Sequence, residues 1–427
     1  MSIAFFWIFI LLLALGAPVV FALLLGPGLS LVLDGETRYF AALLARFYNG
    51  IDSFPLLAVP FFILAGALMN TGGTTQRLVR LANVLVGRFT GGLGHVNVVS
   101  NMIMAGMSGS AAADAAGTGS VLIPAMARAG YSRPFAAALT AAASTIGPII
   151  PPSIPFVVFG VLASVSIGRL FLGGAIPGVL MGLYLMAAVY IIARRRGYAR
   201  GAKPTGGEVW TAFRDALPAL MLPAIIVWGI AGGVVTPTEA SVLAVLYALF
   251  LGTVVYRELS WDSTFAIFGE AAMTTATVMF IVAASALLAW VLTREQAGPQ
   301  LVRLVTSVST DPFVILLVLN VILLILGCFL ETLSLMILLV PVLMPLIKTL
   351  GIDPVHFGVM FTLNLMIGLI TPPVGMSMFI TCRIAGIQVA EFAREIWPFV
   401  IALVAVLLVV TYFPSVVLFL PNLVMGN

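Results

Sequence analysis

The sequence predicts an all-α polytopic membrane protein built as two inverted repeats, each with a re-entrant hairpin and a broken helix. Three observations point there. Of the 427 residues, 62% are hydrophobic and 8% charged, with a mean hydropathy of +1.18. A water-soluble fold cannot bury that much apolar surface. Charged residues are spaced so that long uncharged runs alternate with short charged ones. Two of those runs are broken by nearly the same octapeptide, IGPIIPPS at 146–153 and IGLITPPV at 367–374, 221 residues apart.

The elements follow from the runs, because a helix needs about 20 apolar residues to cross a bilayer. Residues 1–33 are uncharged, and MSIAFFWIFILLLALG has no basic start and no small-residue cleavage site. It is expected to stay as a first membrane helix. Span 54–70 comes next, then an amphipathic piece at 74–89. Residues 89–127, interrupted by GMSGS, read as a hairpin, and 134–168 as a broken helix. Spans follow at 170–193, 216–238, 240–256 and 271–293, with amphipathic pieces at 204–217 and 298–308 expected in the interface plane. Run 313–347, interrupted only by Glu331, reads as two half-length helices forming a second hairpin. Residues 354–384, around the uncharged run 357–382, read as the second broken helix, and 396–427 as a last span. The domain division is therefore 1–53, an N-terminal helix and connection; 54–195, a first repeat; 196–262, a linking arm with membrane helices; and 263–427, a second repeat.

Sliding the chain by 221 residues pairs Gly106 with Gly327, VLIP at 121–124 with VLMP at 342–345, Gly147 with Gly368, and Pro151-Pro152 with Pro372-Pro373. Ser110 falls on Glu331. Basic residues orient the chain. Arg194, Arg195, Arg196, Arg200 and Lys203 form the densest cluster and mark the cytoplasmic side. Counting outward puts Arg77, Arg80, Arg88, Arg128, Arg133, Arg257, Arg383 and Arg394 on that side too. Five spans then separate the hairpins, so the second copy is inverted relative to the first. That is the plan of secondary transporters, whose sites lie near the midplane between repeats.

Breaking a helix in a membrane frees backbone groups that cost several kcal/mol each if unpaired. Carbonyls freed near Gly147 and Gly368 suit a small hard cation such as Na+. Opposite the breaks stand polar tips, Ser108-Gly109-Ser110 in the first copy and Glu331-Thr332 in the second. An acid at membrane depth, as Glu331 is, marks a functional site by default. Asp114 follows the first tip, and Thr145 and Thr371 sit at the breaks. Thr238-Glu239, after Pro237, reads as a helix start. Cys328 and Cys382 lie in apolar runs and read as buried small hydrophobes, and His95 and His356 as residues at hairpin mouths. No nucleotide-binding loop, zinc motif or nucleic-acid signature occurs.

GMSGSAAADAAGTGSVLIPAMARAGYSRPFAAALTAAASTIGPIIPPS (106–153), VVTPTEAS (234–241), GCFLETLSLMILLVPVLMP (327–345) and GLITPPVG (368–375) resemble the large membrane subunit of TRAP (tripartite ATP-independent periplasmic) transporters. The resemblance covers nearly the whole chain. It implies an elevator-type ion transporter fold in the bacterial inner membrane. It also implies two partners, a small four-helix membrane subunit and a periplasmic substrate-binding protein. The substrate it implies is an organic anion, a C4-dicarboxylate or sialic acid, taken up with at least two Na+. By that analogy one Na+ lies at Ser108, Ser110, Gly147, Ile150 and Pro151, and another at Glu331, Thr332, Gly368 and Thr371. The anion lies between the tips, touching Ser108, Gly109, Ser110, Asp114, Thr145, Glu331 and Thr332. No arginine or lysine stands at either tip, a departure that leaves the carboxylate to hydroxyls, amides and Na+. Three other readings compete. One is a stand-alone ion-coupled transporter needing no binding protein, another an intramembrane serine protease using Ser108 with a histidine, and the third a passive channel.

Overall fold

The computed structural model describes residues 7–9, 11–12 and 15–426. Of the predicted first helix, residues 1–6, 10, 13 and 14 lie outside the described residues; 7–9 and 11–12 are helical, and α1 begins at Val19. In chain order the α-helices are α1 (Val19–Leu33), α2 (Phe40–Asn49), α3 (Ala58–Thr71), α4 (Thr74–Val86), α5 (Gly92–Ser108) and α6 (Ala111–Arg128). Next come α7 (Arg133–Ser144), α8 (Ile154–Ala163), α9 (Ile167–Arg196), α10 (Gly206–Ala231), α11 (Pro237–Phe250), α12 (Trp261–Arg294) and α13 (Ala297–Val308). The chain closes with α14 (Pro312–Gly327), α15 (Thr332–Thr349), α16 (Pro354–Gly368), α17 (Met376–Ala385), α18 (Val389–Tyr412) and α19 (Pro414–Met425). No strand ladder occurs among the described residues; one isolated bridge joins Thr90 and Arg200.

Seven of the described helical segments are long and apolar enough to cross a membrane, eight if a bent pair counts as one span. Several expectations change in detail. The stretch 204–217 is not a separate interfacial piece. A Thr205/Glu208 capping box starts α10 there and the helix runs on to Ala231. The run 396–427 is two helices, because Pro414 cannot continue α18 and instead begins α19. The legs of the second hairpin are 16 and 18 residues, about 24 and 27 Å at 1.5 Å per residue, and so exceed half-length helices. The start at Pro237 stands, with Glu239 in the first turn reaching back to Thr236.

At the centre lie the two interrupted helices. All of α7 from Phe135 onward and all of α16 from Val355 onward are buried. A helix apolar all round is stable only when wrapped on every side. Around α7 pack α5, α6, α17 and α18; around α16 pack α9, α14, α15 and α18. The small residues of α7, AAALTAAAS, let those neighbours approach closely. Outside this body, α12 spans 34 residues and packs on α1, α2, α3 and α15, while α10 and α11 pack on each other.

The 221-residue shift reappears as geometry. Ser110 and Glu331 are both N-caps, of α6 and α15. Ser132 and Asp353 are the N-caps of α7 and α16. Gly130 and Gly351 both adopt positive φ.

Candidate functional site

In the first half the tip between α5 and α6 meets the gap between α7 and α8. Gly109 takes φ +61°, and a Cβ there would stand 2.6 Å from the Pro152 carbonyl oxygen, so only glycine lets the two backbones meet. The Ile154 amide donates to the Gly109 carbonyl at 3.4 Å. The second half repeats the contact, with the Val374 amide donating to the Cys328 carbonyl at 3.2 Å. Gly368 there lies against Gly327 backbone to backbone.

Asp114 is the sharpest feature. It sits in the first turn of α6 with no solvent exposure, and neither carboxylate oxygen has a hydrogen-bond partner. Its Oδ2 occupies the space where a Cβ on Gly147 would go, so the carboxylate faces the helix break. No backbone amide among the described residues donates to the carbonyls of Gly147, Ile150 or Pro151. Buried polar groups are normally paired. A lone carboxylate beside free carbonyls is a donor set that fits a small hard cation. Ser108, 2% exposed, accepts from the Ser110 amide at 3.4 Å, and Ser110 accepts from the Ala113 amide at 3.4 Å. The Thr145 hydroxyl donates to the Ala142 carbonyl at 2.6 Å.

The second tip is more fully satisfied. The Glu331 carboxylate accepts from the Ser334 amide at 3.1 Å and from its hydroxyl at 3.4 Å, serving as the cap of α15. Thr371 donates to the Ile367 carbonyl at 2.7 Å, and the Gly368 carbonyl accepts from the Thr371 amide. The Thr332 hydroxyl is buried without a partner. No hydrogen bond or ion pair joins Ser108–Ser110 to Glu331–Thr332 among the described residues. Each tip meets its own break.

Sequence reasoning missed a buried polar column beneath the first tip. Asn97 donates to Thr140 at 2.7 Å, Asn101 to Asn97 Oδ1 at 3.0 Å, and Thr118 to Asn101 at 3.1 Å and to the Asp114 carbonyl at 2.6 Å. It also missed Ser377, whose buried hydroxyl has no partner, and the Asn320–Asn364 pair, which extends to Thr411. The available signal was an asparagine or serine alone inside an apolar run. The histidines do not approach Ser108. His95 lies thirteen residues away on α5, about 20 Å along the axis, and bonds the Thr90 carbonyl, while His356 bonds the Val410 carbonyl.

Residues 6–416 match the family described as tripartite ATP-independent periplasmic transporter, DctM component. The chain belongs to this family. DctM chains are membrane subunits of transporters rather than enzymes, and this one is a multi-pass membrane protein. It is 45% identical over 416 residues to the sialic acid TRAP transporter large permease protein SiaM of Vibrio cholerae, covering 97% of each chain. It is 42% identical over 407 residues to the 2,3-diketo-L-gulonate TRAP transporter large permease protein YiaN of Escherichia coli, covering 95% of each. The fold is similar to the Alcanivorax borkumensis YdaH transporter, with a TM-score of 0.65 at 15% identity over 92% of this chain and 90% of that one.

Proposed function

We propose that this DctM chain is the large membrane subunit of a Na+-coupled importer of an organic acid in the bacterial inner membrane. A small membrane subunit and a periplasmic binding protein are its partners. The observation that carries the reading is the buried, unpartnered Asp114 carboxylate against the break at Gly147. One carboxylate surrounded by neutral oxygens balances a single positive charge. Among the described residues no three His, Cys, Asp or Glu side chains group as a divalent ion would require.

In this mechanism Asp114 and the carbonyls of Gly147, Ile150 and Pro151 hold one Na+. Thr332, Glu331 and the Thr371 carbonyl, with Ser377 added, hold a second. Ser108, Gly109, Ser110 and Thr145 face the organic anion. Ordering of both tips by cation binding couples the two ligands, because ions and anion then bind better together than apart. The body built on α7 and α16 moves as a unit against α10–α12, the elevator step. The relatives are named for sialic acid and 2,3-diketo-L-gulonate, both carboxylates. The substrate class proposed here is accordingly a small carboxylic acid.

The test is thermal unfolding of the purified protein, titrated with NaCl against KCl at constant ionic strength. A saturable rise with Na+ alone is expected, since a ligand that binds only the native state stabilises it. Asp114→Asn should abolish at least the stronger phase. No Na+-specific rise, or a rise unchanged in the Asn variant, overturns the reading.

A further inference from the structure

A polar cavity lies away from the tips. About 630 Å³ in volume, it is walled by the end of α6, the start of α7 and the end of α17. Arg128, Arg133 and Arg383 line it together with Tyr131 and apolar residues, and its wall contains no acidic residue. Among the described residues none of the three arginines makes an ion pair, a side-chain hydrogen bond or a cation–π contact. Arg128 lies fourteen residues beyond Asp114 on α6, so the cavity is on the order of 20 Å from the first tip.

Two simple causes for the arginines fall short. The positive-inside bias explains why they face the cytoplasm, but not why three helices deliver them to one cavity. Helix dipoles favour Arg128 and Arg383, which stand in the last turns of α6 and α17. They disfavour Arg133, which stands at the first residue of α7, where the partial charge is already positive. The three side chains are exposed and so reachable from outside, and like charges with a helix N-terminus around one cavity without a counter-charge favour an anion there.

We propose that this cavity binds a phosphate-bearing anion. Guanidinium forks match phosphate oxygens two at a time, which a point charge cannot do. Such a ligand would tie α6 and α7 of the first half to α17 of the second. Either the headgroup of an anionic phospholipid or soluble inorganic phosphate carries the required chemistry.

Two arms separate these sources. In detergent, inorganic phosphate is titrated against chloride at constant ionic strength and binding is read by calorimetry. In nanodiscs, phosphatidylglycerol is compared with phosphatidylcholine, and lipid retained on the protein is read by native mass spectrometry. Saturable binding in the first arm identifies free phosphate; preference for phosphatidylglycerol in the second identifies the lipid. In the arm that responds, R128Q/R133Q/R383Q should weaken binding by about tenfold or more, the worth of one charge-assisted bond. Should that variant fail to insert, R128K/R133K/R383K keeps the charge and should bind several-fold more weakly than the native protein. Neither anion binding the native protein, or affinity surviving the substitutions, overturns the proposal. The Na+ response of the tips is measured on the same samples and should be unchanged, so failure here is distinct from failure of the transport reading.

Discussion

Gly368→Ala tests whether the second break depends on direct backbone contact. A Cβ at Gly368 would stand 2.6 Å from the carbonyl carbon and oxygen of Gly327 and 2.7 Å from its Cα. Ordinary contact begins at 3.4 Å. The atoms met are backbone, so no side chain can rotate away. Either α14 or α16 must retreat by roughly 0.8 Å, the difference between those distances, and α16 is buried from Val355 to its end. Overpacking of this kind costs about 1–3 kcal/mol. Gly269 in α12 provides the control, with nothing within 4 Å of its would-be Cβ. Gly269→Ala should be neutral or stabilising by up to about 1 kcal/mol through helix propensity. Thermal unfolding of both variants in detergent gives the comparison, and uptake in reconstituted vesicles reports the function. A Gly368→Ala protein as stable and active as the native one would refute the claim that this approach holds the second tip.

Gly147→Ala should behave differently. Its new methyl meets the Asp114 carboxylate, a side chain that can turn, so stability should change little while the Na+-dependent rise in unfolding temperature is lost. Glu331→Ala removes both the α15 cap and a proposed cation ligand. It should cost about 1 kcal/mol and weaken the Na+ response, whereas Glu331→Asn should keep the cap and lose only the response. Glu239→Ala removes the capping box of α11, so unfolding should fall while the Na+ response stays intact. Asn320→Leu removes the side-chain acceptor of the Asn364 amide, which keeps only the Asn320 backbone carbonyl, and the donor to Thr411; it should destabilise the protein by about 1–3 kcal/mol, read by thermal unfolding in NaCl and KCl alike.

Much of the architecture was legible because membrane burial writes itself into composition. The uncharged runs marked α3, α9, α11 and α12, since lipid leaves no room for charges between helix ends. The paired IGPIIPPS and IGLITPPV motifs marked the interruptions after α7 and α16, because proline without an amide cannot continue a helix. Ser110 and Glu331 were legible as equivalent positions, and both became N-caps. What the sequence left open depends on distance across the fold. The sequence singled out Glu331, isolated among Leu and Ile, and placed Asp114 only as a residue following the first tip in a small-residue stretch. Packing gave them opposite surroundings: Glu331 found the Ser334 amide three residues on, while Asp114 was turned toward Gly147 with the Ser108 hydroxyl nearby but no hydrogen bond of normal geometry made to it. Likewise Arg128, Arg133 and Arg383 read only as charges of the cytoplasmic side until α6, α7 and α17 ended around one cavity. Local spacing decides which residues share a helix, but only tertiary packing decides which buried groups are left without partners.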